Sequence, residues 1–223
     1  MRGWRGWLRD RGLLIANLGL FVVFLVAMVL AGVRAYNSDQ TDHHEATVSL
    51  WGYLHTGEFV EATFENWESE FLQMGSYVLL TAYLFQRGSS ESKPIDEEAP
   101  QDADPRDSDL RGNVPWPVRK GGVVLRLYET SLALFFFILF FGSIAAHALG
   151  GAAAYSAEQL EHGGSAVSVW AYVGTAQFWF ESFQNWQSEF LAVATIVGAS
   201  VYLRQRGSAE SKPVAEPHRA TGG

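Results

Sequence analysis

Two stretches of this chain carry the same word: Phe64-x-Asn66-Trp67-x-Ser69-Glu70-Phe71 and Phe183-x-Asn185-Trp186-x-Ser188-Glu189-Phe190. On a helix, residues four apart share a face. Asn66 with Glu70 therefore makes a polar stripe, and Trp67 with Phe71 an aromatic one, as do Asn185 with Glu189 and Trp186 with Phe190. A carboxylate near a membrane boundary is costly unless it is paired or hydrated. One chemistry that satisfies this makes Glu70 and Glu189 a pair lining an outward-facing vestibule, where they bind a cation or relay protons. The other uses Asn, Ser and Glu as interhelical hydrogen bonds that lock a four-helix bundle, with Trp as the anchor. The second is the leading expectation.

Histidine offers the next chemistry. His43 and His162 occupy equivalent places in two acidic segments, near Asp39, Asp42, His44 and Glu45 in the first and Glu158 and Glu161 in the second. Imidazole with carboxylate suits Zn²⁺ or a similar ion. The second segment has Gly163 where the first has His44 and supplies no third strong donor, so no metal or other cofactor is expected. His147 sits inside an apolar block, where an ionisable residue is a functional candidate by default. Its counterpart in the first half of the chain is Met28, so no symmetric site can use it, and a hydrogen bond to a neighbouring helix is expected instead. Asn17, opposite Phe136, reads the same way. There is no phosphate-cradling glycine loop, no H-E-x-x-H and no nucleophile elbow. The acidic run at 96–109 lacks the Gly and Glu placement of a calcium loop. Cysteine is absent, which removes disulfides, thiolate sites and a Cys nucleophile. These residues point to a protein that is not an enzyme.

The elements that would position such groups are membrane spans. Hydrophobic residues make up 48% of the chain and are gathered into blocks, separated by segments rich in Asp, Glu, Gly and Pro. Leu13–Val33 and Leu132–Ala154 each approach or exceed the roughly 20 apolar residues needed to cross the hydrocarbon core. The basic start (Arg2, Arg5, Arg9, Arg11) also fits a signal peptide. However, the apolar run is longer than a signal core, and an equivalent helix recurs in mid-chain. Phe71–Phe85 and Phe190–Leu203 are shorter, so each helix is expected to continue outward through the N-W-x-S-E-F word, with Trp67 and Trp186 at headgroup level. These two helices would start near Phe59 and Phe178 and end at Arg87 and Arg206, with Arg facing the negative end of the helix dipole and Gly88 and Gly207 as stops.

Residues 13–94 align without a gap on 132–213, with about 34 of the 82 pairs identical, which marks a tandem duplication. A two-span unit returns to its starting side, so the copies run in the same direction, related by an axis along the membrane normal. The segments 35–70 and 154–189 hold no Lys or Arg but about a dozen Asp and Glu. Of the 16 Lys and Arg, all but Arg34 lie in the termini and the centre, so those parts are cytoplasmic. Arg34 can snorkel to the outer interface. The expected fold is an all-α integral membrane protein of four transmembrane helices with pseudo-two-fold symmetry. Its parts are a basic N-terminus (1–12), repeat 1 (13–87, spans about 13–34 and 64–86), a linker (88–126), repeat 2 (127–206, spans about 130–153 and 183–204) and a tail (207–223). Linker and tail are acidic and rich in Pro, Ser and Asp. They cannot bury enough surface to offset chain entropy and are expected to be disordered. Pro115-Trp116-Pro117-Val118 and Arg119-Lys120 would lie against the membrane face.

The F-x-N-W-x-S-E-F word and the R-G-S-x-E-S-K-P word after each second span (87–94 and 206–213) resemble a family of uncharacterised bacterial membrane proteins, a domain of unknown function. The resemblance covers nearly the whole chain. It implies a multi-pass inner-membrane protein and transfers no catalytic or binding residue. The net charge of −8 argues against a nucleic-acid partner. The expected partner is the lipid bilayer, and the expected role is non-enzymatic: structural, sensory or assembly. The alternative is a small cation or proton channel or transporter built on Glu70 and Glu189. That reading leans on a homo-oligomer, because four spans are too few to enclose a wide pore.

Overall fold

The computed structural model describes residues 4–108 and 112–222, with the backbone alone for Arg5; Arg2 of the basic start, linker residues 109–111 and the last residue of the tail lie outside them. In chain order the helices are α1 (Trp4–Asp42), α2 (Leu50–Tyr53), α3 (Gly57–Tyr83), α4 (Trp116–Lys120), α5 (Gly122–Glu129), α6 (Ser131–Glu161), α7 (Val169–Val173) and α8 (Ala176–Tyr202). Among the described residues there is no strand. Two helices, α1 and α6, are long and apolar enough to cross a membrane. Helices α3 and α8 have 27 residues each, about 40 Å at 1.5 Å per residue, but their outer halves carry the carboxylates that break the apolar run.

Local hydrogen bonds set the helix ends, and they recur at positions separated by the repeat offset. Ser49 accepts from the Gly52 N–H and Ser168 from the Ala171 N–H, which starts α2 and α7. Thr56 and Thr175 accept from the N–H of Phe59 and Phe178, which starts α3 and α8. These are N-caps that satisfy otherwise unpaired donors of the first turn. At the outer end of α1, the Asn37 side chain holds both the N–H and the carbonyl of Val48; Ser156 does the same for Val167 at the end of α6.

The inner ends differ from the expectation. Helices α3 and α8 stop at Tyr83 and Tyr202, with Leu84 and Leu203 extended, so Arg87 and Arg206 fall outside the last turn and no basic residue lies in it. The reason is a built turn. Ser92 Oγ accepts from Gln86 N–H at 3.0 Å and Ser211 Oγ from Gln205 N–H at 2.9 Å. The Glu91 and Glu210 N–H groups donate to Ser89 Oγ and Ser208 Oγ, both at 3.1 Å. The turn needs φ of +86° at Gly88 and Gly207, a region open to glycine at little cost. The R-G-S-x-E-S word is thus a turn rather than a helix stop. Linker and tail fold back on these turns through polar contacts: Lys212 Nζ donates to the carbonyls of His218 and Ala220, and the Gly222 N–H to the Ser89 carbonyl.

Packing centres on α3 against α6, with α8 alongside α3. The first two cross so closely that a Cβ on Gly150 would meet the Glu61 backbone nitrogen at 2.6 Å, and one on Gly57 the Gly150 carbonyl oxygen at 2.6 Å. Small residues at a crossing let backbones approach, the usual basis of association where no hydrophobic effect drives helices together. Tyr172 sits on Gly151 in the same manner, and Tyr53 on Gly32. Helix α1 lies at the periphery, its apolar stretch unburied, touching the rest through Phe21 on Trp67 and Tyr36 on Tyr53. No comparably close packing joins α1 to α8. Gly142 faces open space. Gly150→Leu should therefore lower stability by about 2 kcal/mol through overpacking, measured by reversible unfolding in mixed micelles, while Gly142→Leu leaves it nearly unchanged.

Candidate functional site: a buried carboxylate and imidazole cluster

His147 is fully buried. It lies on the face of α6 that also carries Ser143, Gly150 and Gly151, at the three- and four-residue spacing that makes one stripe. Its Nδ1 is 3.1 Å from Glu68 Oε2, on α3, and its Nε2 is 3.4 Å from Glu181 Oε2, on α8. The expected bond to a neighbouring helix is present, and it is doubled. Glu68 is also fully buried and accepts from Trp186 Nε1 at 3.2 Å. Glu61 stands two turns before Glu68 and receives the Tyr172 hydroxyl at 2.9 Å; that hydroxyl also lies against Glu181 Oε2. Gln177, one turn before Glu181, donates to Glu181 Oε1. Phe178 packs on the imidazole with ring centres 4.9 Å apart, and Phe140 packs on Trp186.

The hydrogen count of this cluster is unusual. A neutral imidazole is a donor at one nitrogen and an acceptor at the other, yet both nitrogens of His147 face carboxylate oxygens. A phenol has one proton, yet the Tyr172 oxygen faces two carboxylates. Three carboxylates therefore surround one imidazole and one phenol with too few protons for the contacts made. An imidazolium supplies one more positive centre. The remainder needs a carboxylic acid or a bound cation, because burying an unpaired charge costs several kcal/mol even after relaxation. Tyr172 stays a donor: burial, reinforced by the hydrogen bond to Glu181 and the charge of Glu61, raises its phenol pKa far above the ordinary value.

Part of the cluster lines a cavity of about 460 Å³ between the C-terminal ends of α1 and α6 and the N-terminal turns of α3 and α8. Asp39, Glu58, Glu158 and Glu161 line the walls, and Glu61, Tyr172 and Glu181 the base. The cavity is strongly acidic, with no Lys or Arg in its lining among the described residues, so its field raises the local concentration of cations.

The residues singled out from sequence lie around this site in different places. His43 and His162 line the cavity walls, each with Nδ1 bound to the carbonyl one turn earlier, Asp39 at 3.0 Å and Glu158 at 2.8 Å. They do not gather a metal donor set. Among the described residues, three such donor atoms come within 4.8 Å of one another at Glu61, His147 and Glu181. The motif residues stand outside the cavity. Asn66 and Asn185 donate to the carbonyls of Ala62 and Glu181 in their own helices, and Ser69 and Ser188 to those of Asn66 and Asn185. Glu70 is exposed on a groove with Phe21 and Trp67, and the Glu189 backbone carbonyl accepts from Gln73 at 3.3 Å. Two motif side chains of the second repeat reach across from α8 to α3: Trp186 bonds Glu68, and Asn185 also hydrogen-bonds Glu65. Asn17 also turns to its own helix, donating to Leu13.

Sequence reasoning missed Glu61, Glu68, Tyr172 and Glu181. Agreement between the repeats does not point to the ionisable members of the cluster, Glu61 opposite Phe180, Glu181 opposite Ala62 and His147 opposite Met28, although Tyr172 stands opposite Tyr53. The chain belongs to the DUF6766 family, a domain of unknown function whose model matches residues 4–223. No curated protein and no solved structure matches the chain.

Removing one partner of a buried ionic group leaves the others uncompensated. His147→Ala should therefore cost about 3–5 kcal/mol, whereas Glu70→Gln, at an exposed position, should stay within about 0.5 kcal/mol, the range of surface substitutions. Reversible unfolding of the three proteins in the same micelles compares them directly.

Proposed function

We propose that this chain is a four-span protein of a bacterial inner membrane, formed by duplication of a two-helix unit with both termini cytoplasmic, and that it acts without catalysis as a sensor of cations at the outer face. Protons count among those cations. The repeat in the sequence, the recurring caps and turns, and the segregation of Lys and Arg support the topology.

The observation that carries the function is the cation-deficient cluster at the base of an acidic cavity, built from both halves of the chain. Glu61 and Glu68 come from the first half, and His147, Tyr172 and Glu181 from the second. Adding or removing positive charge there changes the forces between α3, α6 and α8. The turn that follows α3 is tied to the end of α8, where Ser89 and Ser200 share a hydrogen bond of 2.8 Å and where the tail folds back. A shift between these helices therefore reaches the segments that a cytoplasmic partner can read. Phe140 and Trp186 pack below the cluster, which favours a binding site with an aromatic floor over a conduit.

The chain has no cysteine, so Thr47→Cys with Ala166→Cys places one spin label on each exposed outer segment. Electron–electron distances in nanodiscs should shift between acidic and mildly alkaline buffer, and His147→Met should abolish the shift. Proton and cation flux into liposomes should stay flat. Identical distance distributions at both pH values, with and without divalent cation, would overturn the sensor reading, and a steady flux would replace it with transport.

A further inference from the structure

We infer that the cation is a divalent transition metal ion, of which Zn²⁺ is the natural probe, ligated by His147 Nε2 and one carboxylate oxygen each from Glu61 and Glu181. This rests on the sensor reading above and names its ligand.

The geometry is that of a ligand set. A tetrahedral ion with bonds of about 2.0–2.1 Å holds its donor atoms roughly 3.3 Å apart. His147 Nε2 and Glu181 Oε2 are 3.4 Å apart, long for a hydrogen bond between charged groups but right for two ligands of one ion. Glu61 completes a triangle in which all three atoms lie within 4.8 Å. The cavity adjoins this triangle through Glu61 and Glu181, leaving room for water as a fourth ligand.

The second layer is also present. A metal-bound histidine almost always donates its other ring N–H to a carboxylate or carbonyl, which fixes the tautomer and orients the ring. His147 Nδ1 has Glu68 Oε2 at 3.1 Å, and Glu68 is in turn held by Trp186. Gln177 and Tyr172 hydrogen-bond the ligating carboxylates. An ion bound there resolves the hydrogen count. Nδ1–H donates to Glu68, the Nε2 lone pair goes to the metal, and two of the three carboxylate charges are met by the ion. The phenol then donates to a single carboxylate. One imidazole with two carboxylates suits the borderline first-row ions better than Ca²⁺ or Mg²⁺, which prefer all-oxygen shells.

The test uses the full-length protein in detergent after chelator treatment. Wild type should take up one equivalent of Zn²⁺ and release protons as it does so. X-ray absorption on the loaded wild type should show one imidazole nitrogen with oxygen ligands. His147→Met should bind no ion, and Glu68→Gln should keep the stoichiometry but weaken affinity roughly 10- to 100-fold. His43→Ala with His162→Ala should keep the single equivalent. Two imidazoles in the absorption spectrum, or loss of binding in the His43/His162 variant with retention in His147→Met, would place the ion on the cavity wall and overturn the proposal. If wild type binds no Zn²⁺ while the spin-label distances still follow pH, the metal falls and the proton-sensing reading stands. If neither responds, both fall.

Discussion

Two buried carboxylates and a half-buried third cannot be gathered around a single imidazole unless positive charge arrives from elsewhere, and the end of the molecule that holds them is organised around that constraint. Desolvating an ion costs several kcal/mol, while each hydrogen bond to a charged group returns about 1.5–3 kcal/mol net. The protein supplies such bonds from Trp186 to Glu68 and from Gln177 and Tyr172 to Glu181. They narrow the deficit without closing it, because none of these donors carries a charge. Apolar side chains of similar size would make a more stable joint between α3, α6 and α8. A cluster kept short of one or two charges, beneath a cavity that attracts them, is better explained by what it receives than by what it holds together.

The cluster exists because α3 and α6 cross at backbone distance. Gly57 and Gly150 remove the side chains that would separate the helices, and Thr56, the cap of α3, sets where that helix begins. From that start Glu61 and Glu68 lie about two turns apart on one face, with Tyr172 against the first and His147 against the second. Tyr172 reaches the site because Gly151 leaves room for its ring on α6 and Ser168 starts the short helix that carries it. Packing and chemistry are one problem here: a larger residue at the crossing would move every donor atom of the cluster.

Much of the helical architecture was readable from the chain. Leu13–Val33 and Leu132–Ala154 form the cores of α1 and α6, and the N-W-x-S-E-F words fall inside long helices, because apolar length and a clean internal alignment are signals local to the sequence. The inner ends were misjudged. Arg87 and Arg206 looked like last-turn cations, whereas Ser92 and Ser211 capture the chain six residues after each turn begins, a side-chain bond that periodicity does not register. The buried cluster escapes a sequence reading for a different reason. Agreement between repeats marks first what both halves need, such as caps and turns. The ionisable cluster arises where one half supplies what the other lacks, and no single stretch of sequence contains it.

The disagreements between α1 and α6 carry the same logic further. Under the proposed duplication, Leu14, Phe24, Val29, Ala31 and Val33 of α1 stand opposite Ala133, Ser143, Ala148, Gly150 and Ala152 of α6. Every change makes the α6 residue smaller, and all five α6 positions are buried. Small side chains admit neighbouring helices, whereas large apolar ones suit lipid. That difference explains why α6 takes the centre while α1 lies at the edge with its apolar stretch unburied. It also explains why the chain has one cluster rather than two. Met28, the counterpart of His147, offers no imidazole, and Phe180 and Ala62 remove the carboxylates that a second site would need. One copy of the unit became the packed, charged half of the site. The other contributed α3 to that site and left α1 at the edge, unburied along its apolar stretch.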